Sequence, residues 1–209
     1  MACYVRLMRR ADIAQITEID REAFPSVWPP VNYERELRNR LAHYIVACDE
    51  EERVDRAEVE APLEKDPPGL AYRIGHLFNY NRFFHHELLE SDKQYITGFA
   101  GFWIMAGEAH IISIAVREPY RRQGIGELLL ISVINLATEL DTRIITLEVR
   151  ASNTIAQNLY HKYGFTEAGL RRNYYIDDKE DALVMSTESI TSATFQANLQ
   201  RLKKGHSPK

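Results

Sequence analysis

The chain has 209 residues, 45% of them hydrophobic and 27% charged, which is room for one domain with a sizeable core. Its formal net charge of −4 excludes a globally basic nucleic-acid-binding surface. Two cysteines, Cys3 and Cys48, make neither a disulfide framework nor a metal site; no signal-peptide core and no bilayer-spanning stretch stand out, so a cytoplasmic setting is expected.

In chain order, YVRLMRR reads as a short first strand. DIAQITEIDREAF reads as a helix, with Asp12 as N-cap, Gln15 completing a capping box, and Ile13, Ile16 and Ile19 at helical spacing. Phe24-Pro25 ends that helix and PSVWPP is a loop. Asn32 is expected to cap a second helix, YERELRNRLA, with Tyr33, Leu37 and Leu41 on one face; HYIVAC follows as a strand. The texture then changes. Residues 49–66 hold nine acids against three bases, a local net charge of −6, and prolines follow. An exposed insertion is expected over about 49–93, with one amphipathic helix in HLFNYNRFFHHELLE.

QYITGFAGFWIMAGEAHIISIAV is a hairpin of two long strands turning near Gly107. RRQGIG then runs into the helix ELLLISVINLATEL. After it come strand RIITLEV, helix NTIAQNLYHKYG closed by Gly164, and strands TEAGLRRNYY and DALVMST. Residues 191–209 read as a turn of helix and a frayed basic tail beyond a single domain over 1–190. This order implies the α/β class: a mixed sheet with helices on both faces.

The segment Arg121-Arg122-Gln123-Gly124-Ile125-Gly126 carries the first chemical signal. It follows a strand and opens an apolar helix. Glycines let the backbone approach a ligand, a helix N-terminus offers N–H groups and a positive dipole end, and two arginines add charge. Together these describe a diphosphate site; the alternative is a softened strand-to-helix turn with solvated arginines. The segment is neither a Walker loop nor a dinucleotide fingerprint, which argues against a nucleotide triphosphatase or a dinucleotide enzyme.

With the preceding Ile114-Ala115-Val116, this segment resembles motif A of the GNAT acetyltransferase superfamily. LEVRASNTIAQNLYHKYGF, followed by RRNYY and DALVM, is similar to the RimI branch, whose members acetylate protein N-terminal amines, typically on a ribosomal protein. The resemblance covers residues 94–187 well and 3–48 weakly. It implies a mixed, mostly antiparallel sheet splayed at strands 4 and 5, acetyl-CoA as co-substrate and no metal. By resemblance, the backbone of Ile114, Ala115 and Val116 lines the pantetheine arm and residues 121 to 127, ending at Glu127, hold the diphosphate. The acceptor would be a protein N-terminus, with no membrane, no direct nucleic-acid contact, and a monomeric or homodimeric enzyme.

Asn153 and Tyr160 lie seven residues apart on one helix, nearly two turns and roughly 10 Å of rise, so both can face one elongated ligand. The resemblance puts Asn153 on the CoA arm and Tyr160 near its sulfur. The chemistry needs a base to deprotonate an ammonium group, for which Glu148 is the candidate, and a donor to the departing thiolate, for which Tyr160 is the candidate. Backbone near Val116 is the candidate oxyanion donor. The competing readings are a solvated edge-strand carboxylate for Glu148, a core aromatic for Tyr160, and a plain N-cap for Asn153. Tyr174 and Tyr175 are either ordinary strand aromatics or part of the peptide groove, and Trp28 in FPSVWPP would shape the same groove. The loop around Trp28 is longer than its family counterpart and the insertion has none; both departures concern the acceptor rather than the cofactor, and for the insertion a solvated linker with a helix packed on its own domain is the favoured reading. Two further functions remain open on sequence: acetylation of a small amine, and a non-catalytic acyl-CoA sensor.

Overall fold

Alternating burial along Ile144–Arg150 sets the geometry of the molecule: Ile145, Leu147 and Val149 are buried, and the residues between them face the other side. A computed structural model describes residues 3–26, 29–53 and 94–205. It contains a seven-stranded sheet built from β1 (Cys3–Leu7), β2 (Ala42–Arg53), β3 (Gln94–Met105), β4 (Glu108–Val116), β5 (Ile144–Arg150), β6 (Phe165–Arg171) and β7 (Ala182–Thr187). The strand order is β1-β2-β3-β4-β5-β7-β6, antiparallel throughout except for the parallel pair β4–β5.

Helices α1 (Ile13–Ala23) and α2 (Tyr33–Arg38) cover one face, and α3 (Ile125–Glu139), α4 (Thr154–Lys162) and α5 (Ala193–Gly205) cover the other. Two buried clusters result. Ile16, Ile19, Tyr33, Phe99 and Ala115 pack on the α1 face. Phe102, Ile111, Leu129, Ile134, Leu147 and Phe165 pack on the α3 face. Nine of the 15 residues of α3 are buried, which fixes its N-terminus against the end of β4. The hairpin β3–β4 turns at Ala106 and Gly107, both at positive φ, as a tight two-residue turn requires.

Several sequence expectations are corrected. Asp12 does not cap α1 with its side chain: its carboxylate accepts from Arg9 N at 2.6 Å and pairs with the Arg6 guanidinium. Gln15 completes no capping box either, because its amide bridges to β3 through Gln94 O and Ile96 N, each at 2.9 Å. Asn32 does cap α2, accepting from Arg35 N, but that helix ends at Arg38; only Tyr33 is buried, while Leu37 and Leu41 are exposed. The acidic run does not start the insertion, since β2 continues through it to Arg53 and Asp49 is buried. The expected helix in HLFNYNRFFHHELLE lies outside the described residues. The C-terminal segment is a 13-residue helix whose Phe195 and Leu199 enter the core, rather than a single turn. No helix among the described residues is long and apolar enough to cross a membrane.

Candidate active site

The β4–β5 ladder runs from Glu108 opposite Ile144 to Ile111 opposite Leu147 and stops there. A β-bulge explains the break. Gly101 pairs with Ser113 and Phe102 with Ile111, so Ile112 is the extra residue on β4. Bulges bend a strand and sharpen its twist, here turning Ile112–Val116 away from β5. Past that point β4 has no strand neighbour on its β5 side among the described residues, and the cleft between the two strands is the candidate site.

One wall of the cleft ends in the glycine segment. Val116 leads through a short 3-10 turn (Glu118–Tyr120) to Arg121, whose Nε donates to Val116 O at 3.1 Å. Gln123 Nε2 donates to Pro119 O at 2.9 Å, folding the loop on itself. Arg122 has φ +63° and Gly124, the residue before α3, has φ +86°. The first intrahelical bond runs from Leu128 N to Gly124 O, so the amides of Gly124, Ile125 and Gly126 come before it, at the positive end of the helix. Arg121 and Arg122 are exposed beside them. This arrangement fits a diphosphate. The Glu127 carboxylate is not aimed at such a ligand: it accepts from Tyr163 Oη at 2.7 Å and pairs with Lys162, tying α3 to α4.

Asn153 is the N-cap of α4, its Oδ1 accepting from Ala156 N at 3.1 Å. Tyr160, two turns on, packs against Phe165 and the α3-face core. Burial, reinforced by the nearby Tyr175, pushes the Tyr160 phenol well above the usual tyrosine range, so it holds its proton at neutral pH.

The other wall is built from side chains. Thr146, Glu148 and Arg150 alternate with the buried residues of β5 and share its second face. Glu148 is no solvated edge carboxylate. Its side chain is only 6% exposed; Oε1 lies 2.9 Å from Arg171 Nη2 on β6, and Oε2 lies 3.0 Å from His110 Nε2 on β4. Arg150 holds three acids of the 172–181 turn: Asp177 at 2.7 Å, Asp178 at 2.8 Å and Glu180 at 2.9 Å. Its guanidinium also stacks 3.9 Å from the centre of the Tyr175 ring. Ser26, in the loop after α1, donates to Asp177 at 2.6 Å and joins the α1–α2 loop to the β6–β7 turn. That bond, with the Arg150 contacts, lowers the Asp177 carboxyl to about 2.

Tyr174 and Tyr175 stand in this turn, beyond the end of β6 at Arg171, which corrects the strand expected through them. They pack edge to face. Burial raises the Tyr175 phenol to about 12, with Arg150 opposing and Tyr174 and Glu148 adding to the rise; burial and then Glu148 raise Tyr174. Glu148 thus acts on both Tyr174 and Tyr175, and Tyr175 in turn on Tyr160. Trp28 lies outside the described residues. Sequence reasoning missed His110, Arg150, Arg171 and Ser26. The alternation of ITLEVR could have placed Arg150 beside Glu148, but the other three meet the site only through strand pairing and loop closure.

Comparison with known proteins follows the same lines. The sequence profile of the acetyltransferase (GNAT) family matches residues 13–165. A protein of Bacillus subtilis (strain 168), which carries the provisional name of a ribosomal protein bS18-alanine N-acetyltransferase, is 36% identical over 182 residues, 87% of this chain and 92% of its own. The crystal structure of the ribosomal-protein-S18-alanine N-acetyltransferase from Escherichia coli superposes with a TM-score of 0.63 at 23% identity, over 92% of this chain and 97% of that one. Arabidopsis thaliana NAA60 in complex with acetyl-CoA superposes with a TM-score of 0.64 at 15% identity, over 90% and 98% of the two chains.

Proposed function

The chain belongs to the acetyltransferase (GNAT) family, and on that premise we propose that it transfers the acetyl group of acetyl-CoA to the N-terminal α-amine of a protein, with a ribosomal protein in the cytoplasm as the leading acceptor. The observation that carries this reading is a nearly buried carboxylate, Glu148, set where β4 and β5 part, between a phosphate-ready helix terminus and a wall of tyrosines.

The division of labour follows from the two walls. Amides at the start of α3, with Arg121 and Arg122, would hold the diphosphate, and the open edge Ile114-Ala115-Val116 would pair with the pantetheine arm. Asn153, with its Oδ1 committed to the helix cap, would offer its amide N–H to that arm. Glu148 takes a proton from the acceptor ammonium, directly or through one water. The amine then attacks the thioester carbon; a C–N bond forms and, as the tetrahedral oxyanion collapses, the C–S bond breaks. Backbone N–H near Val116 steadies the oxyanion, Tyr160 gives its proton to the departing sulfur, and the second proton shed by the attacking nitrogen returns through water to the Tyr160 oxygen. Arg171, with its side chain 54% exposed, is the partner of Glu148 free to swing aside when the ammonium arrives. An α-amine titrates near about 8 and a lysine near about 10.4, so an N-terminal acceptor demands less of the base.

Thiol release from acetyl-CoA with a panel of N-terminal hexapeptides, spermidine and free lysine tests the proposal. Turnover on alanine- or serine-starting ribosomal sequences, and none on the small amines, is expected. Turnover on small amines alone would replace the acceptor class, and acetyl-CoA binding with no turnover on any acceptor would make the chain a sensor.

A further inference from the structure

Each turnover consumes an ammonium group and yields an amide, so one proton must leave a site that a bound acceptor covers. We propose that it leaves through His110, Thr146 and Glu108, with His110 as a positioning residue for Glu148. This route rests on the reading of Glu148 as the base.

Four polar groups stand in line across the two parallel strands. His110 Nε2 lies 3.0 Å from Glu148 Oε2, His110 Nδ1 lies 2.9 Å from Thr146 Oγ1, and Thr146 Oγ1 donates to Glu108 Oε1 at 2.6 Å. His110 and Thr146 are register partners in the β4–β5 ladder, and Glu108 begins the same ladder two residues earlier. The line therefore runs away from the splayed cleft toward the β3–β4 turn, where Glu108 is half-buried.

Counting protons fixes the direction. An ionised carboxylate only accepts, so the one hydroxyl proton of Thr146 is committed to Glu108. The Thr146 oxygen then presents a lone pair to His110, and Nδ1 carries hydrogen. Nε2 faces a carboxylate oxygen, and a contact of 3.0 Å there is favourable only with a proton between them. Among the described residues, the other charged or titratable groups facing the pair are Arg171 from β6, on the second oxygen of Glu148, and Tyr174 and Tyr175 from the following turn. None of them continues the line.

The transfer balances. An N–H bond of the ammonium breaks as an O–H bond forms on Glu148, and the proton between Glu148 and His110 settles on Nε2. The Nδ1 proton passes to the Thr146 oxygen as the original hydroxyl proton of Thr146 passes to Glu108. Glu108 then releases a proton to water. One proton has left the site for solvent, with the new proton on Glu148 and Nδ1 bare. Once the product has left, Glu148 gives its proton to water and Nδ1 regains one through Thr146, which restores the starting state, and nothing is oxidised or reduced.

The decisive variants are Thr146→Val, which keeps shape and strand preference but removes the oxygen, and His110→Gln, which keeps a donor toward Glu148 but carries no mobile proton. In the full-length protein with an alanine-starting peptide, each is expected to lower kcat about tenfold or more, a share of the usual acid–base contribution. KM for acetyl-CoA should stay within twofold, and neither change should lower kcat further in a Glu148→Gln background. Independently of activity, nitrogen-15 spectra of wild-type His110 should show a hydrogen on Nδ1. Wild-type kcat in Thr146→Val overturns the relay, and so does a bare Nδ1, even if the variants fail to fold. If Glu148→Gln is slow in that case, the base reading stands without the relay; if Glu148→Gln turns over normally, both fall.

Discussion

The two walls of the cleft solve different problems with different parts of the chain. The wall after β4 is made of backbone: a left-handed glycine, a helix terminus and a strand edge that pairs with no other strand among the described residues. The wall on β5 and the turn after β6 is made of side chains that hold one another, with Glu148 between His110 and Arg171, and Arg150 among three acids. On the proposed reading a backbone site binds the group common to every turnover and tolerates most side-chain changes. On the same reading a side-chain site sets the proton chemistry and the acceptor, and changes there should be felt at once.

The largest expected effect is on the second wall. Glu148→Gln should lower kcat at least about a hundredfold, the low end of general acid–base catalysis, with acetyl-CoA affinity nearly unchanged. Steady-state kinetics beside a binding titration would show it; equal losses in both would merge the two walls. Tyr160→Phe should cost less, roughly ten- to a hundredfold in kcat, because a thiolate leaves with partial help. Burial raises the Tyr160 phenol, so its proton is retained as pH rises toward 10, and the wild-type kcat profile should show no falling limb due to Tyr160 below that pH. A limb near pH 9 that vanishes in the phenylalanine variant would contradict this.

On the first wall, Gly124→Ala forces a left-handed residue to carry a Cβ, which costs about 1–2 kcal/mol; spent at the cradle, that is a rise of roughly tenfold in KM for acetyl-CoA with kcat preserved. Arg150→Met should release the 172–181 turn and raise KM for the peptide roughly fivefold, the scale of about 1 kcal/mol, while acetyl-CoA kinetics stay level. The smallest effect belongs to Arg121→Ala. This exposed charge should be worth about 0.2–1 kcal/mol of acetyl-CoA affinity, fading with added salt.

The first wall was legible in the sequence because it follows local rules. Arg121 to Gly126 sit between a strand and an apolar helix, and the glycine with positive φ is where that reading needs it. Glu148, Asn153 and Tyr160 were candidates through their spacing within one strand–helix unit, and the roles proposed for Asn153 and Tyr160 came with the resemblance. The splayed sheet was implied by resemblance alone; its physical cause, the bulge at Ile112, leaves no mark in the alternation of HIISIAV. His110 and Arg171 were out of reach because each meets Glu148 across a strand pairing that no local pattern specifies. Asp12 and Gln15 misled for a related reason: both have good capping chemistry, but tertiary partners Arg6, Gln94 and Ile96 claim their side chains. Tyr174 and Tyr175 look like strand residues, yet Arg150 and its acids hold that segment as a turn.

One measurement addresses the central claim directly: tandem mass spectrometry of the product formed from a single peptide that carries both an N-terminal alanine and an internal lysine. Acetyl on the α-nitrogen and none on the lysine side chain is the expected result. Acetyl on the lysine, or an even division between the two nitrogens, would contradict it.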